Sequence, residues 1–403
     1  MNILLFCSNP VNGGTARVFF ELSNFFDENK KDDDVVFSAV NIHNSVEIYQ
    51  KVPNVDRIDV LSKEELFDSV SNKNIVGRMF KKVYSDVVYS PTKERNITTM
   101  CEYILSNKIE AVFIHNGGYV GDDLCNQMLE AAWRCSNQVR CRAYIFHNDF
   151  EKNLLKKLRF YPYDKFVEKR ATELITVSEY TSNRIRKESF IKKEISVIYN
   201  GLSKENTLSE SEKQAIIELE PSKRHVLMIG NFQENKGQLY FIEAISNIVK
   251  HKKNVDFTLI GNVYDNEYYN ECMNKIKING IERYIQIYQG INNAAEYMNL
   301  FDVVVVPSIY DESFGLISVE AMSHGVPVVA FACGGIPEVQ VNGETGYIVR
   351  VGDSAALGEK ILQLLSDANI CEEMSQNGVN RYEKMFSVNA MGKMYFDVLK
   401  KYR

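Results

Sequence analysis

Much that would place this chain outside the cell or in a membrane is missing from it. It has 403 residues, and no apolar run approaches the ~18 residues needed to cross a bilayer. The apolar start, Met1 to Cys7, is brief and has no basic lead. It runs straight into Asn9-Pro10 and Gly13-Gly14, so it reads as a first strand and its loop rather than a signal peptide. The cysteines (Cys7, Cys101, Cys125, Cys135, Cys141, Cys272, Cys333 and Cys371) form no C-x-x-C pair and sit singly among apolar neighbours. That argues against a disulfide or zinc framework and for reduced, buried thiols. Positive charge is not in excess: 47 Lys and Arg against 53 Asp and Glu leave a net −6. A dedicated nucleic-acid binder needs a basic face, so none is expected here. The expectation is a soluble, cytoplasmic protein.

The familiar catalytic signatures are also absent. There is no G-x-x-x-x-G-K-[ST], no G-x-S-x-G, no H-E-x-x-H and no pair of metal-spaced Cys/His sites. The single D-x-D lies in Asp32-Asp33-Asp34, which reads as a charged surface loop, poorly placed to hold a metal-bound diphosphate. No metal and no cofactor are therefore expected.

What is present is ordinary globular composition, 45% hydrophobic and 25% charged, which rules out disordered and collagen-like classes. The length asks for more than one core, and two domains are the simplest reading. Short β-rich runs (Ile3–Cys7, Val35–Asn41, Ala111–His115, Ala143–His147, Leu174–Ser178, Ile195–Tyr199) alternate with helical patterns such as Ala16–Phe26, Ile97–Asn107 and Asp123–Arg134. After Asn200-Gly201, the polar segment Ser203–Ser222 reads as a linker. A second set of strands follows: His225–Ile229, Phe257–Ile260, Ile285–Gln289, Val303–Val306, Val326–Phe331 and Gly346–Val349. The helix Gln238–Val249 carries Leu239, Ile242, Ile245, Ile248 and Val249 on one face. Such alternation predicts an α/β fold of two doubly wound, Rossmann-like domains, residues 1–200 and 201–384. The aromatic helix at about 385–403 is free to return to the first. In such sheets ligands bind beyond the carboxyl ends of the strands, so chemistry is expected in the loops that follow them.

The densest of these loops is Pro307-Ser308-Ile309-Tyr310-Asp311-Glu312-Ser313-Phe314-Gly315-Leu316-Ile317-Ser318-Val319-Glu320-Ala321-Met322, after a strand of four valines. Glu312 falls in the loop and Glu320 about two turns into the helix behind it. The free N–H groups of a first helical turn suit an anion, and each carboxylate can accept two hydroxyl hydrogen bonds. The pair can therefore grip two hydroxyl-bearing ends of one ligand with phosphates between. A second loop, Gly230-Asn231-Phe232-Gln233-Glu234-Asn235-Lys236-Gly237, supplies a cation at another helix start, although a surface Lys before a Gly is commonplace. Gly13-Gly14 opens the first helix and fits either an anion nest or a plain tight turn. His147 ends a strand in Phe146-His147-Asn148-Asp149, and His115 in His115-Asn116-Gly117-Gly118 competes for the same role. A lone His is as often purely structural. Gly334-Gly335 can bring backbone N–H groups to a phosphate or sugar.

Taken together these residues resemble family 4 of the glycosyltransferases, a retaining group with the GT-B fold, whose hallmark is two glutamates separated by seven residues. Glu312 and Glu320 stand at that spacing in E-S-F-G-L-I-S-V-E-A-M. The resemblance is dense over about 230–349 and thinner in the first half, where Gly13-Gly14, His147, Ser178 and Asn200-Gly201 fall in order. It implies two domains facing across a cleft and a metal-independent hexosyltransferase acting on a nucleotide sugar, with UDP the expected base. It implies a donor site of Gly14, Gly230, Asn231, Lys236, Glu312, Ser313, Phe314, Gly315, Leu316 and Glu320. Glu320 would take the ribose hydroxyls, Glu312 the sugar hydroxyls, backbone N–H groups around Phe314–Leu316 the diphosphate, and Lys236 the leaving phosphate. His147, Glu312 and Lys236 would be catalytic, with His147 near the anomeric centre. One departure stands out: Asn231 replaces the Arg usual in the family, removing a diphosphate-binding cation, and Arg17 is a candidate substitute.

The implied acceptor is a saccharide or lipid-linked glycan of the bacterial surface. Two other readings compete, a sugar-nucleotide epimerase and a non-catalytic nucleotide-sugar-binding scaffold, the latter drawing on Asn231. Lys152–Arg170 and Lys73–Arg95 interleave basic with apolar side chains, which fits either a solvated helical face or peripheral contact with anionic lipid.

Overall fold

The computed structural model describes residues 1–8, 13–31, 33–41, 47–52, 55–62, 75–117, 122–148, 158–204, 207–310 and 312–403. The chain divides into two compact units, Met1–Gly201 with Met391–Arg403, and Leu202–Ala390. Each is a parallel sheet with helical connections, the arrangement that alternating strand and helix patterns require.

The first unit holds a seven-stranded sheet. Its strands are β1 (Asn2–Cys7), β2 (Val35–Asn41), β3 (Val55–Ile58), β4 (Ala111–Asn116), β5 (Cys141–Phe146), β6 (Glu173–Thr176) and β7 (Ile195–Val197). Their order is β3-β2-β1-β4-β5-β6-β7, so the order reverses between β1 and β4. Leu4, Phe6, Val112, Ile114, Tyr144 and Phe146 are buried with Met128 and Leu129 of the helix Asp123–Arg134. Asp122 caps that helix by accepting from the Leu124 N–H at 2.8 Å.

The segment Met391–Arg403 is built into this unit by its aromatics. Tyr395 meets Phe113 edge-on at 5.5 Å, and Phe396 lies 4.8 Å from Phe26. The Tyr402 hydroxyl donates to Glu173 at 2.7 Å. Within the acidic run Asp33 is exposed in a turn, as expected of a surface loop, but Asp34 is not. It is buried, accepts from the Met1 nitrogen at 3.1 Å and pairs with Arg403. Its carboxylate is thus used up in tying three segments together.

The second unit holds a six-stranded sheet: β8 (Arg224–Ile229), β9 (Val255–Ile260), β10 (Ile285–Tyr288), β11 (Val303–Val306), β12 (Val328–Phe331) and β13 (Gly346–Val349). The order β10-β9-β8-β11-β12-β13 reverses between β8 and β11. The helix Gln238–His251 buries Phe241, Ile242, Ala244, Ile245, Ile248 and Val249, the 3.6-residue stripe seen in the sequence with Phe241 and Ala244 added and Leu239 only half-buried.

The segment read as a linker is structured. Ser209 and Glu212 form a reciprocal capping box that starts the helix Glu210–Ile216. Lys213 is fully buried, and its Nζ donates to Asn299 Oδ1 at 3.0 Å. Glu296 accepts from the Thr207 and Leu208 N–H groups at 3.0 and 3.1 Å. Lys213 and the polar groups of Thr207 and Leu208 dock the segment on the second unit. Ile97–Asn107 proves to be the end of a longer helix, Ile75–Ser106.

Candidate functional site

In the second unit the two strands at the reversal point, β8 and β11, lead into the two loops singled out above. The β8 loop runs through Gly230 and Asn231 into a single 3-10 turn, Glu234–Lys236. Gly237 follows with φ +72°, and a Cβ there would lie 2.0 Å from the Pro307 carbonyl oxygen. Only glycine lets these loops pass so closely. The Ile309 N–H donates to the Asn235 carbonyl at 3.0 Å, stitching them together. The result brings Lys236 Nζ to 3.0 Å from Glu312 Oε2, with both side chains roughly one-quarter exposed. Ser308 Oγ lies 3.4 Å from the same carboxylate oxygen.

Behind Glu312 the helix Leu316–Ser323 begins at Gly315, which has φ +101° and makes no side-chain cap. Ser318 and Val319 N–H groups donate back to the Gly315 carbonyl. Ser313 and Leu316 are half-buried in this turn. The Phe314 side chain turns into the core and meets Phe386 edge-on at 5.8 Å, so only its backbone is available to a ligand. Glu320 lies in the same helix and is 7% exposed.

Gly334 and Gly335 do something different from the phosphate contact expected of them. A Cβ on Gly334 would lie 2.0 Å from the Glu312 carbonyl oxygen, and the Gly335 N–H donates to that oxygen at 2.7 Å. They fix the Glu312 backbone, and the Gly335 N–H is spent there.

Asn231 is engaged too. Its Oδ1 accepts from the Asn262 N–H at 3.1 Å, and Asn262 Oδ1 accepts from the Gly290 N–H at 2.8 Å. Gln238 Nε2 donates to the carbonyls of Gly230 and Asn231 at 3.1 and 2.9 Å. The ends of β8, β9 and β10 are therefore tied by amide side chains. An Arg at 231 has donors only and could not take the Asn262 N–H. Asn262 escaped the sequence reading because its partners follow neighbouring strands, and Gln238 because its partners are backbone carbonyls of the loop before its own helix.

In the first unit the loops of interest again follow strands at or next to the reversal point. Gly13 and Gly14 are exposed at the start of the helix Gly14–Asn29, which also lacks a side-chain cap. Arg17, the candidate substitute cation, lies 4.0 Å from Glu21 Oε1 in its own helix. β4 and β5 run side by side; His115 is the last residue but one of β4, and His147 directly follows β5. These were read as competitors, yet the structure joins them: His115 Nδ1 and His147 Nε2 are 3.0 Å apart and the rings stack. Burial holds His115 well below the usual imidazole range, with the His147 ring adding to the effect. Burial alone pushes His147 down to about 3. Both are neutral at physiological pH. Nearby, burial raises the Asp122 carboxyl to about 6 against the hydrogen bonds it accepts.

Val11, Asn12, Asp32, Gly118, Asp149 and Asp311 lie outside the described residues, as do Lys152–Lys157 and the side chains of Lys73–Val88. Of the basic residues proposed to meet lipid, Lys165 pairs with Glu168 at 2.6 Å and Arg170 pairs with Glu130. The Arg170 guanidinium also sits 4.2 Å from the Phe166 ring centroid. These contacts lie along the protein itself and give lipid binding no support. Among the described residues no helix is long and apolar enough to cross a membrane. Nor does any group of three or more His, Cys, Asp and Glu side chains there suit a metal ion.

The two reversal-point loops, a Lys–Glu pair and an uncapped helix start share their stretch of sequence with a known family. Residues 209–381 match the family described as Glycosyl transferases group 1. This stretch is similar to a glycosyltransferase group 1 domain. Among curated relatives, the N-acetyl-alpha-D-glucosaminyl L-malate synthase of Bacillus anthracis is 32% identical over 203 residues, 49% of each chain. The capsular polysaccharide biosynthesis glycosyltransferase CapM of Staphylococcus aureus is 28% identical over 225 residues, 54% of this chain and 58% of its own. The match spans between 42% and 65% of the length of these and other curated relatives. Over the full length, Anabaena HepE in complex with UDP and glucose superposes with a TM-score of 0.73 at 17% identity, covering 100% of both chains. The stretch similar to glycosyltransferase group 1 therefore sits in a chain with the two Rossmann-like domains of the GT-B fold.

Proposed function

We propose that this protein is a retaining glycosyltransferase that moves a sugar from a nucleoside-diphosphate sugar to a hydroxyl of a saccharide or glycoconjugate acceptor. The observation that carries this reading is the Lys236–Glu312 pair at 3.0 Å, held beside the uncapped start of the helix that bears Glu320. A donor diphosphate would draw Lys236 away from Glu312. The ammonium and the helix N–H groups would then take the charge that develops on the leaving phosphate, and the freed Glu312 carboxylate would accept sugar hydroxyls. No metal ion is needed in this scheme.

The acceptor oxygen attacks C1 of the donor sugar on the face that the diphosphate leaves. The C1–O bond to phosphate breaks with its electron pair going to the phosphate, and the acceptor proton passes to that same phosphate oxygen. UDP is the first base to try, because the HepE structure of shared fold holds UDP and glucose. The CapM relative makes a surface polysaccharide the first acceptor class. The scaffold reading leaned on Asn231, and that residue has its own reason to be Asn: it accepts the Asn262 N–H.

The test is thermal shift of the purified chain with UDP-, GDP- and ADP-sugars in EDTA, followed by transfer assays on the donor that binds. The expected result is a large shift with one donor, lost in Glu320→Gln when that variant melts like the unliganded wild type. Binding that needs added divalent metal would overturn the metal-independent scheme. Folded protein that shifts with no donor would overturn the transferase reading. Proton NMR of the first product gives the anomeric configuration, and inversion would remove the retaining assignment.

A further inference from the structure

Resting on the reading of His147 as part of the transfer site, we propose that His115 is a positioning residue. Its Nδ1–H donates to His147 Nε2 and fixes the tautomer in which His147 carries its proton on Nδ1. His147 then meets the reacting groups as a neutral hydrogen-bond donor and not as a base.

The argument begins with the contact. Two imidazole nitrogens 3.0 Å apart form a hydrogen bond only if one donates and the other accepts. The stacked rings, with centroids 5.2 Å apart and planes inclined by 22°, hold them in that relation. Two arrangements of the proton are open to the pair. In the first, His115 Nδ1 donates, and its other nitrogen, Nε2, is left as a bare lone pair. In the second, His115 Nδ1 accepts, and Nε2 must carry a hydrogen.

His115 Nε2 decides between them. The residue is fully buried, and among the described residues this nitrogen has no hydrogen-bond partner. The ring is walled by Phe19 at 5.5 Å and Tyr395 at 6.4 Å. Folded proteins leave a buried acceptor bare more readily than a buried N–H donor without a partner. The first arrangement is therefore favoured. His147 accepts at Nε2, and because a neutral imidazole has one ring hydrogen, that hydrogen sits on Nδ1.

The chemical consequence is specific. A base needs a free lone pair, and His147 has committed its lone pair to His115. What it can offer is Nδ1–H, suited to a sugar hydroxyl or to the oxygen on which charge develops. The depressed affinity of both rings for protons keeps this donor neutral at working pH. The pair is also pinned in place: the His147 N–H donates to the Asn116 carbonyl at 3.1 Å, and Cys125 Sγ donates to the His115 carbonyl at 3.5 Å.

The test is a long-range proton–nitrogen correlation spectrum of the full chain labelled with 15N-histidine, which has six histidines to resolve. His115→Asn and His147→Asn each remove one set of signals and so assign the pair. The expected spectrum shows both rings with a pyrrole-type Nδ1 and a pyridine-type Nε2. In His115→Asn the side-chain amide can replace the lost donor, so His147 keeps its pattern. In His115→Phe, which suits the aromatic wall, the fixed pattern of His147 is lost to tautomer exchange. A His147 proton on Nε2 in the wild type, or an unchanged His147 in His115→Phe, overturns the proposal. The spectrum is read without substrate. Failure of the transferase assay would therefore leave the tautomer standing, and a working transferase with the wrong tautomer would remove only the pairing.

Discussion

Asn231 shows how a single residue can mislead when only its charge is weighed. By resemblance the position lacks a phosphate-binding cation, a loss of about 1.5–3 kcal/mol if nothing replaces it. In the structure its side chain is an acceptor that ties β8 to β9, with Asn262 extending the tie to β10. Asn231→Arg should therefore not recover the missing affinity. It should lower stability by about 0.5–1.5 kcal/mol, the worth of one hydrogen bond. A urea melt and a titration with UDP check both statements, and a tenfold gain in affinity with no loss of stability would refute them. Lys236 and Glu312 were legible in the sequence because each is a charged residue in a glycine-bearing loop at a strand end. Their 3.0 Å contact was not, since it requires β8 and β11 to be neighbours. The contact between His115 and His147 was opaque for the same reason: it joins two residues brought together by the pairing of β4 with β5.

Among elements, runs of buried β-branched residues spoke clearly. Val35–Asn41, Val303–Val306 and Gly346–Val349 are strands with the expected bounds, and the other expected strands moved by one or two residues at an end. β3, Val55–Ile58, was missed because Asp56 and Arg57 interrupt its apolar pattern at the sheet edge. The segment Ser203–Ser222 failed in the opposite direction, because a few of its residues, Lys213, Thr207 and Leu208, dock it on Asn299 and Glu296. If the capping box truly starts the helix Glu210–Ile216, Ser209→Ala should cost about 1 kcal/mol. Ser222→Ala, at an exposed position outside that helix, should cost no more than about 0.5 kcal/mol. Circular dichroism melts of the two variants make the comparison, and equal losses would mean that the segment is a tether after all.

On the scale of the whole molecule, the two units should not respond alike to acid, because the buried histidine pair belongs to the first. A histidine whose folded pKa lies below its unfolded value of ~6.5 binds fewer protons folded than unfolded. Its contribution is therefore intact above pH ~6.5 and falls away as the pH drops, for His147 towards about 3. Asp122 and Asp164 carry the opposite sign. Burial raises each to about 6, so the folded state binds more protons between that value and the unfolded ~3.9. Acid relieves them, which partly offsets the histidines until the aspartates are fully protonated in both states. The single tryptophan, Trp133, lies in the helix Asp123–Arg134 of the first unit, so its fluorescence reads that unit alone. The first unit should melt lower at pH 4.5 than at pH 7.5, and the difference should shrink when His115 and His147 are both replaced by Phe. Asp122→Asn keeps an oxygen to cap the helix but removes the buried charge. It should raise the melting point at pH 7.5 and change little at pH 5, where the wild-type carboxyl is already protonated. A double variant with the wild-type acid slope would show that the histidines titrate freely, and that the wall around them is more open to water than the structure has it.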